Sequence, residues 1–307
     1  MGRPVYVELA LDLARSFYYW NPTADISFHL VTDLAVALPP DLSAITLIEV
    51  VPGKFGRGFS PKLWLDELAP AAQTLFIDSD CLCFGPLDPV FDKLSGRAVT
   101  VIGELRTEGE FFGDIPKLRR VLHLAWIPVF VGAIYYLEKN PVSRSVYAQA
   151  RKLESDYDSL GLIRLRGIPN DEPLIALGMA AHQLQPVPDD GTIKADAMHY
   201  RRFLEVDVLG GRTQLLDPVP GKPVPARATP VIFHFNSHYT LGRDYRRECC
   251  RLQKVSLYRW PPWLATAYAF LRHDLPCRLK DRVKNSLRPF SHKLLGYRKI
   301  VRQDRET

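Results

Sequence analysis

The segment Gln73-Thr-Leu-Phe-Ile-Asp78-Ser-Asp80-Cys-Leu-Cys-Phe-Gly-Pro-Leu87 places two carboxylates between two apolar runs. Thr74 to Ile77 is typical of a short buried strand, and Cys81 to Phe84 is apolar again. Acidic side chains between buried runs are costly unless another group compensates their charge. A divalent cation can do so, and oxygen ligands suit Mg²⁺ or Mn²⁺. An ordinary turn after a strand, where Asp and Ser are common, is the alternative interpretation.

Composition indicates a soluble globular protein, with 47% apolar and 24% charged residues over 307 positions. The N-terminus enters an amphipathic segment directly, without a signal-peptide pattern, and the apolar run Trp263 to Leu271 is too short to cross a bilayer. The five cysteines lack zinc-type spacing, which favours buried thiols in a reducing compartment. We therefore expect a cytoplasmic protein.

The positive charge is concentrated in the C-terminal tail. Residues 256–307 hold 12 of the 40 Lys and Arg residues but 4 of the 34 Asp and Glu residues, a net charge of +8. The rest of the chain has a net charge of −2. This distribution gives no reason to expect nucleic-acid binding by the main part of the chain.

Helical and strand patterns alternate along the main part of the chain. Helices are predicted over Pro4 to Trp20 and Asp88 to Leu94, and strands over Ile26 to Val31, Ile45 to Val50 and Val231 to Phe235. This alternation predicts an α/β fold with a mostly parallel sheet flanked by helices. In such sheets ligands bind beyond the carboxyl ends of strands, where Asp78 and Asp80 stand. Their position favours a binding site over an ordinary turn.

Five segments of the chain match one known pattern in the same order. They are the helix from Tyr6 to Phe17 with the strand ending at Asp33, the helix of Lys62 leading into Asp78-Ser79-Asp80, the segment Val131-Gly132-Ala133-Ile134, the acidic helix start Asn170-Asp171-Glu172, and Val231-Ile-Phe-His234-Phe. Together they resemble the nucleotide-sugar glycosyltransferases of the GT-A (Rossmann-like) fold. The closest resemblance is to glycosyltransferase family 8, the glycogenin and bacterial galactosyltransferase group.

The chain departs from the family pattern in four places, one of which is Glu172 after Asp171, where the family has Gln. Only five residues precede Tyr6, so we expect the family's first strand, which lines the nucleobase pocket, to be missing or truncated. Phe130 and Val131 stand where the family usually has Asn before Gly132. The segment after His234 lacks the family's Gly-x-x-Lys-Pro-Trp pattern, so contacts to the diphosphate are expected from other groups.

The resemblance implies a metal-dependent transfer. Departure of a nucleoside diphosphate develops negative charge, which a divalent cation neutralises. We assign Asp78, Asp80 and His234 as ligands of Mn²⁺ or Mg²⁺, with His238 as the alternative imidazole. For His234 the competing interpretation is a core histidine at the end of a strand.

The resemblance also suggests donor-binding and catalytic residues. Lys62 would face the diphosphate, Tyr6 would stack on the nucleobase, and Ser79, Gly132 and Asn170 would line the donor site. Asp171 is the candidate catalytic residue, either as nucleophile or as stabiliser of an oxocarbenium-like state. The alternatives are a solvated lysine for Lys62, simple helix packing for Tyr6 and a dipole-compensating acid for Asp171.

The tail carries a different pattern. Leu275, Leu279, Val283 and Leu287 recur every four residues and are flanked by Arg and Lys. A basic amphipathic helix of this kind is suited to an anionic membrane surface. The alternative is a helix that packs on the protein with a solvated basic face.

We therefore predict a GT-A-like catalytic domain over residues 1–255 and a basic helical tail over residues 256–307. The expected function is metal-dependent transfer of a sugar from a nucleoside diphosphate sugar, with uridine favoured as the base, to a carbohydrate or lipid-linked acceptor. Retention of anomeric configuration and peripheral attachment to the inner face of the membrane are part of this expectation. The alternative, favoured by Phe130 and the missing strand, is a non-catalytic protein that binds nucleotide sugars or a membrane surface.

Overall fold

A computed structural model describes the backbone of residues 2–295 and, except at 237 and 289–295, their side chains. The helices are α1 (Pro4–Trp20), α2 (Leu65–Leu68), α3 (Asp88–Leu94), α4 (Ile115–Leu122), α5 (Pro141–Glu154), α6 (Asp171–Ala181), α7 (Asn236–Tyr239), α8 (Arg243–Ser256), α9 (Pro262–Ala269) and α10 (Leu275–Leu295). Short 3₁₀ turns cover Pro40–Leu42, Ser60–Trp64 and Ala197–His199, and a π turn covers Phe270–Asp274.

The strands are β1 (His29–Thr32), β2 (Thr46–Glu49), β3 (Gln73–Ile77), β4 (Cys81–Cys83), β5 (Val99–Thr100), β6 (Ile102–Arg106), β7 (Ile127–Phe130), β8 (Ile134–Glu138), β9 (Val187–Pro188), β10 (Lys194–Asp196), β11 (Tyr200–Asp207), β12 (Arg212–Pro218), β13 (Arg227–Ala228) and β14 (Ile232–His234). The predicted α/β class is thereby confirmed, including a helix at the C-terminal end of the described residues.

The pairing of the strands is mixed. Parallel pairs join β1 to β2, β6 to β9 and β10 to β14, whereas six other pairs are antiparallel. The sheet is therefore less parallel than expected. One reason lies in Val129 to Leu137, a run whose residues are typical of one strand. It contributes to two strands instead, and the second of them, β8, runs antiparallel to both β3 and β5. Within residues 2–295, β1 pairs with β2 alone and β3 with β8 alone.

Helix α1 has the bounds predicted from its local signals. Pro4 occupies the first turn, where its missing N–H is not needed. At the other end, the Asn21 side chain donates to the Phe17 carbonyl oxygen at 2.8 Å, and Pro22 follows. The buried face of the helix, which includes Leu13 and Phe17, packs in the same cluster as the apolar residues of β4. This packing holds the strand that follows Asp80 against the helix.

The three-stranded sheet β10-β14-β4 positions the most important side chains. Its register places Asp196 opposite His234 and His234 opposite Cys81. Side chains opposite each other on neighbouring strands point to the same face of a sheet. Asp196 and His234 are therefore neighbours although they lie on separate segments of the chain.

The helices α8, α9 and α10 form the C-terminal part of the described chain. Buried Asp274, just before α10, lies 3.5 Å from the guanidinium groups of both Arg243 and Arg247 on α8. Arg251 of α8 donates to the Thr266 hydroxyl of α9 at 3.1 Å. These contacts attach α9 and the residue just before α10 to α8. Helix α10 then runs without interruption from Leu275 to Leu295. None of the helices within residues 2–295 is long and apolar enough to cross a membrane.

Candidate active site

The turn between β3 and β4 holds Asp78, Ser79 and Asp80. Its backbone is anchored because the Asp78 N–H donates to the Ala133 carbonyl at 2.9 Å and the Cys81 N–H donates to the Asp78 carbonyl at 3.1 Å. The carboxylates of Asp78 and Asp80 have different neighbours. Asp78 faces a lysine, and Asp80 faces a histidine.

Asp80 and His234 are in direct contact. His234 Nε2 lies 3.1 Å from Asp80 Oδ1, and the Phe235 N–H donates to the Asp80 carbonyl at 3.0 Å. The potential ligand atoms of Asp80, Cys81 and His234 all lie within 4.8 Å of one another. The alternative imidazole, His238, is exposed and stacks on Tyr239 with 4.1 Å between ring centroids. Of the two histidines, the structure brings His234 to the acidic turn.

Asp78 is paired with Lys62. The ammonium nitrogen lies 2.7 Å from Asp78 Oδ1 and 2.8 Å from the Gly132 carbonyl oxygen, to which it donates. It also lies 5.5 Å from the centroid of the Tyr135 ring. Lys62 is therefore not the solvated lysine of the alternative interpretation. It is the cation that compensates one carboxylate of the pair.

Asp171 begins α6 and is only 2% exposed. The Tyr135 hydroxyl donates a short hydrogen bond to Asp171 Oδ2. The preceding residue, Asn170, is also buried, and its side-chain nitrogen has no hydrogen-bond partner in the described part of the chain. An unpaired buried donor is costly, so this amide is available to a bound ligand.

Gly132 lies between Lys62, which is paired with Asp78, and Glu172 in the first turn of α6. Its N–H donates to Glu172 Oε1 at 3.0 Å, while its carbonyl accepts from Lys62. A Cβ at this position would lie 2.3 Å from the Tyr135 hydroxyl oxygen and 2.9 Å from Glu172 Cγ. A glycine within an apolar run indicates a close approach of other atoms, and here the approaching atoms are side chains of the protein itself.

Tyr6 lies in the first turn of α1, partly exposed, with the Arg3 guanidinium 5.9 Å from its ring centroid. Among the described residues, no hydrogen bond or ring contact joins it to the acidic turn. Ser79, in contrast, is part of the acidic turn, between Asp78 and Asp80.

Four residues of this site were not predicted from the sequence: Tyr135, Glu172, Lys194 and Asp196. Asp196 Oδ1 accepts from His234 Nδ1 at 2.6 Å, and Lys194 Nζ donates to Asp196 Oδ2 at 3.0 Å. The pattern Lys194-Ala-Asp196 repeats the feature used for the acidic turn, two charges at i and i+2 beside apolar residues. This spacing is the signal in the sequence that could identify the two residues as part of the site.

The charges of the site alter one another's pKa values. Burial lowers the pKa of His234, but hydrogen bonds to Asp196 and Asp80 outweigh it and raise that pKa to about 10, so a cation that binds Nε2 must displace the proton there. Burial raises the pKa of Asp80, but the hydrogen bond and the charge of His234 outweigh burial and bring this pKa below its usual value. For Asp78, burial outweighs the Lys62 charge and leaves the pKa raised.

The donor set suits a divalent cation at Asp80 and His234. A carboxylate oxygen and an imidazole nitrogen are ligands that Mn²⁺ accepts, and a ligating histidine commonly donates its other N–H to a carboxylate, as His234 does to Asp196. Burial raises the pKa of the Cys81 thiol well above its usual value. Asp78, paired with Lys62, lies outside the cluster of ligand atoms.

No family model and no curated protein sequence matches the chain. Its fold is similar to that of galactosyltransferase LgtC in complex with donor and acceptor sugar analogues, at 15% identity over 76% of this chain and 84% of that one, with a TM-score of 0.49. An active-site mutant of LgtC is similar at 14% identity over the same shares, with a TM-score of 0.47. The glycosyltransferase GlyE of Streptococcus pneumoniae TIGR4 is similar at 12% identity over 76% and 53%, with a TM-score of 0.44.

Replacing Glu172 by glutamine should change how stability depends on pH. Burial, and then the charge of Asp171, raise the pKa of Glu172 from 4.5 to about 8, although Lys62 and Lys194 oppose the shift. Because the folded-state pKa is raised, the wild type loses stability as the pH rises from about 4.5 to about 8. The amide of the substituted glutamine remains able to accept from the Gly132 N–H.

We expect Glu172→Gln to be more stable than the wild type at pH 8.5, by a few kcal/mol of unfolding free energy, with little gain at pH 5. Thermal melts at the two pH values measure this difference. Glu67→Gln, at an exposed glutamate, is the control and should show the same small effect at both. Equal effects of Glu172→Gln at pH 5 and 8.5 would contradict the argument.

Proposed function

We propose that this protein transfers a sugar from a nucleoside diphosphate sugar to an acceptor with the aid of a divalent cation. One observation carries the proposal: the acidic turn after β3 and the imidazole of β14 converge, with His234 Nε2 3.1 Å from Asp80 Oδ1. A carboxylate and an imidazole beyond the carboxyl end of a strand, with Lys62 beside Asp78, form a site suited to the metal complex of a diphosphate.

Each group at the site has a task in this proposal. The bound cation would neutralise charge on the departing diphosphate. Asp80 and His234 would hold that cation, and Lys62 would contribute a second positive charge beside Asp78. The unpaired side-chain nitrogen of Asn170 is a donor for an oxygen of the donor sugar.

We assign Asp171 the stabilising role rather than that of a nucleophile. Its carboxylate is buried and accepts from Tyr135, which limits its freedom to form a bond. A fixed negative charge favours an oxocarbenium-like state. The resemblance to family 8 adds retention of the anomeric configuration to the proposal. It also adds a uridine nucleotide as donor and a carbohydrate or lipid-linked acceptor.

The direct test is turnover of a panel of uridine diphosphate sugars. Each donor is incubated with the full chain and Mn²⁺, with and without simple glycosides, and release of uridine diphosphate is measured. Release that requires Mn²⁺ or Mg²⁺ and stops with a chelator is expected. Calorimetry with uridine diphosphate runs in parallel. Metal-dependent nucleotide binding without turnover of any donor would favour the second candidate, a binding protein.

That second candidate has one observation in its favour. Asp78 and Asp171 are both engaged by side chains of the protein itself, Lys62 and Tyr135 respectively. A site whose charges are satisfied internally suits binding as well as catalysis. The turnover panel separates the two candidates because only an enzyme consumes the donor.

We further propose that the protein works at an anionic membrane surface on the cytoplasmic side and attaches through α10. The apolar stripe Leu279, Val283 and Leu287 is 50–58% exposed, so it does not pack on the described part of the protein. Exposed basic side chains flank it: Arg278, Lys280, Arg282 and Lys284. Exposed Trp263 and Leu271, on α9 and the π turn before α10, add apolar surface.

Neutralising two of these lysines should weaken binding to anionic vesicles. Each basic residue near such a surface contributes about 1 kcal/mol, so Lys280→Gln/Lys284→Gln should lower the partition coefficient about 30-fold. Sedimentation with phosphatidylcholine vesicles containing phosphatidylglycerol measures this change. Lys139→Gln/Lys152→Gln, two exposed lysines elsewhere, is the matched control. Binding that is unaffected by the tail substitutions, or equal on neutral vesicles, would contradict the proposal.

A further inference from the structure

Asp196 and Lys194 form a buried ion pair behind the candidate metal ligand. Both residues are 2% exposed, and both lie on β10, the strand parallel to β14. The register of this pair places Asp196 directly opposite His234. Lys194, two positions earlier, emerges on the same face because side chains alternate along a strand.

The two oxygens of Asp196 have separate partners. Oδ1 accepts from His234 Nδ1 at 2.6 Å, and Oδ2 accepts from Lys194 Nζ at 3.0 Å. Lys194 also donates to the Val131 carbonyl at 3.3 Å, in the link between β7 and β8. The carboxylate is therefore held at both oxygens and cannot rotate freely. The imidazole bonded to it is held in turn, with Nε2 towards Asp80.

Stability alone is a poor reason to keep such a pair. Two buried charges lose their hydration, and apolar side chains of similar volume often stabilise a protein as well or better. What apolar side chains would not supply is an acceptor for His234 Nδ1. An imidazole whose Nδ1–H donates a hydrogen bond to a carboxylate presents Nε2 to a metal. The carboxylate also increases the basicity of the imidazole.

We propose that Asp196, held by Lys194, is a positioning residue that fixes the His234 ring so that Nε2 binds the divalent cation together with Asp80. The inference rests on the proposed function, because it concerns the metal of that site. It extends the site to a third strand, β10. Lys194 acts one step further away, on the carboxylate.

The test measures Mn²⁺ binding to the full chain without donor or acceptor. Free Mn²⁺ is titrated by electron paramagnetic resonance, and pulsed measurements at saturating Mn²⁺ detect a coordinated imidazole nitrogen. Lys194→Met/Asp196→Leu removes both charges and the acceptor for His234 Nδ1 together, which avoids leaving one charge buried and unpaired. We expect it to bind Mn²⁺ 10–100-fold more weakly and to lose the nitrogen signal. His234→Ala defines the signal of a site without imidazole.

Two further variants keep the test decisive. Asp196→Glu keeps the charge and the partner of Lys194, so it should fold; a longer side chain misplaces the ring, and Mn²⁺ affinity should again fall. Asp190→Asn removes an exposed carboxylate paired with Lys93 at 2.7 Å, and should bind Mn²⁺ as the wild type does. Circular dichroism and thermal melts establish that each variant is folded at the temperature of the titration.

The possible results separate the inference from the proposed function. Wild-type affinity and an unchanged nitrogen signal in both Asp196 variants would overturn the positioning role and leave the metal site intact. Failure of the wild type to bind Mn²⁺ would overturn the metal dependence of the proposed function and the inference with it. Loss of affinity in Asp190→Asn equal to that in the Asp196 variants would overturn the inference as well, because the effect would not be specific to His234.

Discussion

Replacing Asp80 by alanine should reduce Mn²⁺-dependent sugar transfer about a thousandfold. The metal supplies several kcal/mol of charge stabilisation, and each 1.36 kcal/mol is a factor of ten in rate. Asp80 is the carboxylate in direct contact with His234, so its loss removes one of the two ligand side chains that the structure brings together. The measurement is release of the nucleoside diphosphate at saturating donor and Mn²⁺.

The fold should survive this substitution. His234 keeps its hydrogen bond to Asp196, and the backbone bond from Phe235 to residue 80 does not involve the side chain. Asp88→Ala, at an exposed acid on α3, is the matched control and should retain wild-type turnover. If Asp80 and His234 act on one cation, as proposed, adding His234→Ala to Asp80→Ala should cost little more. Unchanged turnover in Asp80→Ala would refute the metal assignment.

Replacing Lys62 by methionine should destabilise the protein by about 3 kcal/mol. Methionine has nearly the same length, so the main loss is that of the ammonium group that contacts Asp78 and the Gly132 carbonyl. Removing one partner of a buried ion pair costs about 3–5 kcal/mol, and Lys62 is 26% exposed along its side chain, which favours the lower end. Asp171 and Glu172 also lose a nearby positive charge, because both interact with Lys62.

A chain of this size should then melt about 5 °C lower. The double variant Lys62→Met/Asp78→Asn should recover most of the loss, because the unpaired carboxylate is gone. Lys54→Met, at an exposed lysine in the preceding loop, controls for the chemistry of the substitution and should shift the melting temperature little. If Lys62→Met melts as Lys54→Met does, the ion pair does not hold this region together.

Local sequence signals were sufficient wherever a structure depends on neighbouring residues. Pro4 and Asn21-Pro22 set the ends of α1, and the helix has the bounds that they predict. Asp88-Pro89 opens α3 in the same way. The position of Asp78 and Asp80 at the end of a strand was likewise predictable, because an apolar run followed by acids is a local pattern.

Long-range pairing was not predictable in the same way. Nothing in the sequence near Lys194 states that β10 will lie beside β14, nor that β14 will lie beside β4. The sheet was expected to be mostly parallel because helices and strands alternate. The division of one apolar run around Gly132 into two strands, β7 and β8, gives no local signal in the sequence.

The sequence by itself determined the α/β class, the bounds of its strongest helices, and the identities of the acidic turn and of His234. The tertiary structure alone decided that Asp80 meets His234, that Lys62 compensates Asp78, and that Asp196 orients the imidazole. It also decided that the apolar stripe of α10 is exposed. The physical reason is that helix ends depend on hydrogen bonds between near neighbours, whereas a strand register brings together side chains from distant segments and depends on the packing of the whole fold.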